Sequence, residues 1–168
     1  VSRCFYNEVV GPILAESFPT LHYGAALIGP GSEVLGFDTP QSRDHDWGAR
    51  LFVFLREADR ARRAAIADLL SHQLPPTFLD CPVDFPAEPG EPRIRIMLLP
   101  MSGPVHHRVI AITVADFVRV QLDYDPMSPL TAADWLTFPA HTLGELTAGA
   151  VFHLSLIHIS EPRDRQKS

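Results

Sequence analysis

The sequence predicts an α/β fold of the α+β kind: a mixed sheet with flanking helices, followed by the start of a helical region. Three observations carry this expectation. Residues 21–28 and 51–55 are short runs of almost wholly apolar side chains, the mark of buried strands. Residues 2–18 and 59–74 repeat apolar residues at helical spacing on either side of the strands. After residue 125 only helical patterns are legible. The expected division is an α/β domain over residues 1–124, the start of a helical region over 125–153, and a tail over 154–168.

Each element has its own reason. In residues 2–18, Phe5, Val9 and Ile13 stand at i, i+4 and i+8, a helical stripe that Pro12 should kink or divide. Residues 21–28 end at Gly29-Pro30-Gly31, a strand entering a turn. Residues 45–55 read as a second strand, and Leu51-Phe52-Val53-Phe54-Leu55 is apolar on both faces, which assigns it a central place in the sheet. Over residues 59–74, Ile66, Leu69, Leu70 and Leu74 form the buried stripe of a helix. Residues 75–104 hold eight of the 16 prolines, so this segment is not helical and most of it is loop. Within it, residues 93–98 alternate Ile94, Ile96 and Leu98 with Arg93, Arg95 and Met97, a strand with one exposed face. Residues 109–114 are a further strand, and 116–122 return to helical spacing through Phe117, Val118 and Leu122. Thr131 and Asp134 match a capping box that opens a short helix. A last helix is expected to carry Leu143, Leu146, Thr147 and Ala150.

Composition removes several classes of function. No apolar run has the length of a membrane span, and the first residues lack the order of a secretory signal. A net charge of −6 supplies no basic field for general nucleic-acid binding. Cys4 and Cys81 fit no metal or redox spacing and read as reduced thiols of a cytoplasmic protein. The chain starts at Val1 inside a helical pattern, and its last residues read LSLIHISEPRDRQKS. LSLIHISEP resembles the translated transposon-end adaptor of sequencing libraries. A fragment with a non-native tail is therefore expected, and His158 is set aside as a ligand.

The chemistry is concentrated in GPGSEVLGFDTPQSRDHDWGAR, residues 29–50. Side chains alternate across a strand, so Asp44 and Asp46 share one face while His45 and Trp47 share the other. Two such carboxylates repel unless a cation lies between them, and hard oxygen ligands suit Mg²⁺ completed by phosphates. Upstream, Gly31 allows close backbone approach to a phosphate, and Ser32 adds a hydroxyl and an N–H at a helix start. Together these residues describe a site for a metal-bound triphosphate.

A Gly-Ser pair, a short connection and Asp-x-Asp entering an apolar strand resembles the DNA-polymerase-β-like nucleotidyltransferase superfamily. The likeness extends through Gly36 and Ser42 to its small members. GSEVLGFDTPQSRDHDWGAR and DWLTFPAHTLGELTAGAVFH, residues 134–153, are similar to the bacterial family known as domain of unknown function 4037, which belongs to that superfamily. The resemblance covers most of residues 1–153; where this chain has Ala49 the family commonly has proline. It implies a nucleotidyltransferase-like sheet in which Gly31 and Ser32 hold phosphates and Asp44 and Asp46 bind two Mg²⁺ ions. The reaction it implies moves a nucleoside monophosphate from an NTP, with ATP expected, to an unknown acceptor by in-line displacement. A third carboxylate on a neighbouring strand is also required. Asp84, between Val83 and Phe85, is the candidate on pattern, in a proline-rich stretch that reads equally as loop; residues 93–98 and 109–114 contain no acid. The alternative is a degenerate member that binds a nucleotide or a protein partner without catalysing transfer.

Other residues carry weaker signals. Arg50 follows the carboxylates at even spacing and reads either as a phosphate contact or as the ion-pair partner of Asp46. Arg60, Arg62 and Arg63 read as a solvated helix face, with anion steering as the alternative. His106 and His107, with His45 or His141, could build a Zn or Fe site of a hydrolase, although no pair has a metal-specific spacing. Trp47 reads as core.

Overall fold

In the computed structural model, which describes residues 1–35, 48–85, 87–88, 91–95 and 104–156, the apolar runs pair into one four-stranded sheet. Its strands are β1 (Tyr23–Leu27), β2 (Arg50–Leu55), β7 (Arg108–Thr113) and β8 (Ala150–Leu154), in the order β7-β2-β1-β8. β1 is antiparallel to β2 and β8, whereas β2 and β7 are parallel, so the sheet is mixed and the fold is α/β. The parallel pair needs a crossover, and a 3₁₀ segment (Glu57–Arg62) leading into α4 (Arg63–Gln73) begins it.

β2 is central, as its two-sided apolar pattern requires. Leu51, Val53 and Leu55 join the larger core with Tyr23, Ala25 and Ala111, under the N-terminal helix and α4. Phe54, with Ala26 and Ile112, faces the opposite side, under α5 (Val114–Leu122). There Phe52 and Phe54 both meet Phe117 edge-on, at 5.0 and 5.1 Å between ring centroids.

The N-terminal helix absorbs Pro12 without breaking. It runs as α1 (Ser2–Phe5), a π-helical segment (Tyr6–Val10) and α2 (Gly11–Ser17), and the Gly11 N–H donates to the Tyr6 carbonyl, one residue further than in an α-helix. That wide turn falls just before Pro12, which stands second in α2, within the first turn where proline is tolerated. It also shifts the stripe by one position: Phe5, Tyr6, Val10 and Leu14 are buried, while Val9 and Ile13 are only partly covered.

Other boundaries also differ from the sequence reading. β2 starts at Arg50, and neither Gly48 nor Ala49 is in a strand; residues 45–47 lie outside the described ones. The proline-rich stretch contains two small hairpins, β3 (Thr77–Phe78) with β4 (Cys81–Pro82), and β5 (Ala87–Glu88) with β6 (Glu91–Arg95). The strand expected at 93–98 is thus β6 as far as Arg95, and it pairs outside the main sheet. Leu79 and Asp80 both have positive φ, 49° and 60°, the two-residue turn that twists a hairpin correctly.

The C-terminal region is not helical throughout. A short helix, α3 (Ser32–Leu35), lies between β1 and β2; the C-terminal region holds α6 (Ala132–Thr137) and α7 (Ala140–Thr147), but Ala150, expected in the last helix, opens β8. The edge of β1 would otherwise be unpaired, and the run Ala150–Leu154 supplies the missing partner. Leu154 and Ser155, at the start of the adaptor-like tail, take part in this: the Ser155 hydroxyl accepts from the Tyr23 N–H at 3.1 Å. Among the described residues no helix is long and apolar enough to cross a membrane.

Candidate functional site

The topology gathers the candidate residues at one end of the sheet. β1 runs toward that end and leaves it through Gly29, Pro30 and Gly31, while β2 and β7 both begin there, with Arg50 opposite Arg108. Gly29 and Gly31 have φ of 88° and 141°, conformations that side chains disfavour, so this turn needs glycine at both positions. The Gly31 carbonyl accepts from the Val34 N–H at 3.1 Å, which starts the single turn of α3, and Ser32 is its first residue. The Gly29 N–H donates to the Glu145 carbonyl at 3.2 Å, tying the turn to α7.

Arg50 joins two parts of the motif. Its guanidinium Nη2 donates to the Pro30 carbonyl, and its backbone N–H donates to the Ser2 hydroxyl at 3.4 Å. The side chain that followed the aspartates at even spacing is therefore beside the Gly-Pro-Gly turn. Asp44 and Asp46 lie outside the described residues, as do Gly36, Ser42, His45 and Trp47.

Asp84 is buried at 6% exposure and lies between β4 and β5, not on a strand of the sheet. Its Oδ1 accepts two bonds from one residue: the His106 N–H at 2.8 Å and the His106 ring Nδ1–H at 3.1 Å. An ionised carboxylate has no hydrogen to give, so Nδ1 is the protonated nitrogen of that contact. The neighbouring Phe85 N–H donates to the His106 carbonyl at 3.0 Å, so residues 84–85 and 106 hold each other from both sides. Val105 extends the anchorage by donating its N–H to the Ser71 carbonyl of α4 at 2.7 Å. The Arg108 guanidinium lies 4.0 Å over the Phe85 ring, and the same ring abuts Gly48, two residues beyond Asp46.

The remaining sequence candidates among the described residues are placed as follows. Asp116 collects Arg60 at 2.9 Å, Arg63 at 3.1 Å and Arg119 at 3.4 Å, and Arg63 Nε also donates to the Ala111 carbonyl at 3.0 Å. Arg62 reaches Asp59 at 3.4 Å, beside the closer Arg56 at 2.8 Å. Arg60 and Arg63 thus join the 3₁₀ segment and α4 to α5, whereas Arg62 pairs within the 3₁₀ segment. His107 accepts from the Val109 N–H at Nδ1 and therefore donates through Nε2 to the Ala67 carbonyl. His141 is exposed on α7. Among the described residues no group of three His, Cys, Asp or Glu side chains converges as a metal site.

Two features were invisible in the pattern. One is the His106–Asp84 contact across 22 positions. The other is a buried pair, Tyr6 and Tyr23, whose hydroxyls are 2.9 Å apart beneath the His153 ring. Burial first, and then the Tyr23 hydroxyl as its hydrogen-bond partner, push the Tyr6 hydroxyl pKa up; burial also raises that of Tyr23.

The chain matches no family model, no curated protein and no solved structure.

Proposed function

We propose that this chain is a nucleotidyltransferase-like domain of the kind its motif resembles, binding an NTP, with ATP expected, as its Mg²⁺ complex and serving in the cytoplasm. The observation that carries the reading is the contact of Arg50 with the Pro30 carbonyl. It sets the Gly29–Gly31 turn beside the first residue of β2, and in the sequence Asp44 and Asp46 stand a few positions before that residue, which supports a metal–triphosphate site at this end of the sheet.

In this reading Gly31 and Ser32 hold the phosphates, Asp44 and Asp46 bind two Mg²⁺ ions, and Arg50 contacts a phosphate oxygen. Asp84 is the third carboxylate. Its chemistry fits the ion: a hard oxygen donor, buried, with Oδ1 fixed by His106. When bound, the metal pair neutralises charge on the triphosphate during in-line transfer to an acceptor hydroxyl or phosphate.

One observation favours the second reading, a degenerate domain that binds a nucleotide or a protein partner without transfer. β7, the strand parallel to β2, has no acid over Arg108–Thr113, and Asp84 stands off the sheet. Calorimetric titration with ATP, with and without Mg²⁺, tests both. Mg²⁺-dependent binding that is lost in the Asp44→Asn/Asp46→Asn double variant, while the variant stays folded, supports the nucleotide site. Pyrophosphate release in an acceptor screen then separates transfer from binding alone. A folded double variant that binds Mg-ATP like the parent overturns the site.

A further inference from the structure

We infer that the outer edge of β8 is a self-association surface, where two copies of this chain join strand to strand, antiparallel, across a two-fold axis. The inference is independent of the nucleotide-site reading above, because no residue of that site takes part.

β8 ends the sheet order β7-β2-β1-β8, and among the described residues no strand lies beyond it. The Ser155 N–H donates to the Tyr23 carbonyl at 2.9 Å, so the backbone of Ser155 turns toward β1. Backbone groups alternate along a strand, and the neighbouring Leu154 therefore directs its N–H and C=O outward. Such an edge is a template for a further strand, and proteins commonly guard it with charges or prolines. Residues 148–156, AGAVFHLSL, hold no Asp, Glu, Lys, Arg or Pro. The opposite edge strand, β7, opens on Arg108.

Charge and side-chain placement choose a second copy as the occupant. The chain as a whole carries −6, which opposes association, whereas two β8 edges bring no like charges together. Val151 and Leu154 are 58% and 54% exposed. They stand opposite Ala26 and Gly24 of β1, on the α5 side of the sheet. With Val114 they line an apolar cavity of about 350 Å³ whose walls include Phe117 and Leu146, so apolar surface continues inward from the edge. On the other side the Arg3 guanidinium lies 5.0 Å over the Phe152 ring, which leaves the α5 side as the open one. A two-fold axis perpendicular to the sheet sets one patch against itself and makes the two adjoining strands antiparallel. It keeps the α5 sides together, so Val151 and Leu154 of one copy lie beside those of the other, and two four-stranded sheets become one.

Sedimentation equilibrium of the whole chain measures the association, in reductant so that the exposed Cys4 forms no cross-link. The parent should form a dimer that saturates at two copies. Val151→Lys combined with Leu154→Lys places like charges on both edges and should weaken the dimer at least about tenfold, with the circular dichroism of the parent retained. A second measurement needs no variant. Amide exchange over Ala150–Leu154 should slow as the chain is concentrated, while exchange over Ala132–Thr137 stays constant. A parent that remains monomeric, or that grows past two copies, overturns the inference. A folded double variant that associates like the parent overturns it too, as does a dimer whose β8 amides exchange at the monomer's rate.

Discussion

Gly48 and Phe85 meet so closely that a β-carbon at position 48 would stand 2.3 Å from Phe85 Cζ and 3.2 Å from Cε1. Real Cβ atoms do not approach that near, so any other residue at 48 must displace a ring that is almost fully buried. Gly48→Ala should therefore cost about 1–3 kcal/mol, the usual range for an overpacked core. Chemical denaturation measures it, and coupling to Phe85→Leu should make the two substitutions sub-additive. Additive effects would show that the ring does not rest on Gly48.

Asp116 is the shared acceptor of Arg60, Arg63 and Arg119, with its own side chain largely covered and the arginines partly solvated. Replacing it by Asn leaves three guanidinium groups facing one another. Solvent screens each pair, so the expected loss is about 1 kcal/mol, smaller at high salt. Urea midpoints at two salt concentrations check both the size and its salt dependence. A salt-independent loss would indicate packing in place of charge.

Tyr6 and Tyr23 make the alkaline limb of the stability curve steep. Both hydroxyls have their pKa raised above the ordinary 10.0 by burial, so the folded chain keeps protons that the unfolded chain releases. The stabilising contribution is complete below about pH 10 and is lost as pH rises above it. Tyr6→Phe and Tyr23→Phe remove one ionising group each, and each should flatten the fall in melting temperature above pH 10. An unchanged alkaline limb in both variants would sink this account.

Thr131 and Asp134 form a closed capping box: Asp134 Oδ2 accepts from the Thr131 N–H at 2.7 Å, and the Thr131 hydroxyl accepts from the Asp134 N–H at 3.3 Å. The Thr131 hydroxyl and N–H lower the Asp134 pKa below 3.8, so the box persists above that value and weakens as pH falls through the depressed one. Thr131→Ala should speed amide exchange over Ala132–Thr137 and leave exchange in β2 unchanged. Equal acceleration in both elements would mean that the helix does not open on its own.

The chain's local chemistry determined much on its own. Apolar runs specified β1, β2 and β7, because a two-sided strand needs no information beyond its own residues. The capping box, the helix at Arg63–Gln73 and the turn at Gly29–Gly31 were equally legible, since each depends on contacts a few positions apart. Gly31, Ser32, Asp44, Asp46 and Arg50 stood out by spacing within one short stretch.

Tertiary structure decided the rest. Ala150 continues a helical pattern, yet it joins a strand because β1 has an unpaired edge there. Pro12 shifts a stripe by one residue instead of ending the helix, since the core rewards the continuous rod. Asp84 and His106 are 22 positions apart, and no periodicity links them. Only the packing of the proline-rich segment against the start of β7 brings them together, because hydrogen bonds between distant residues follow from the path of the whole chain.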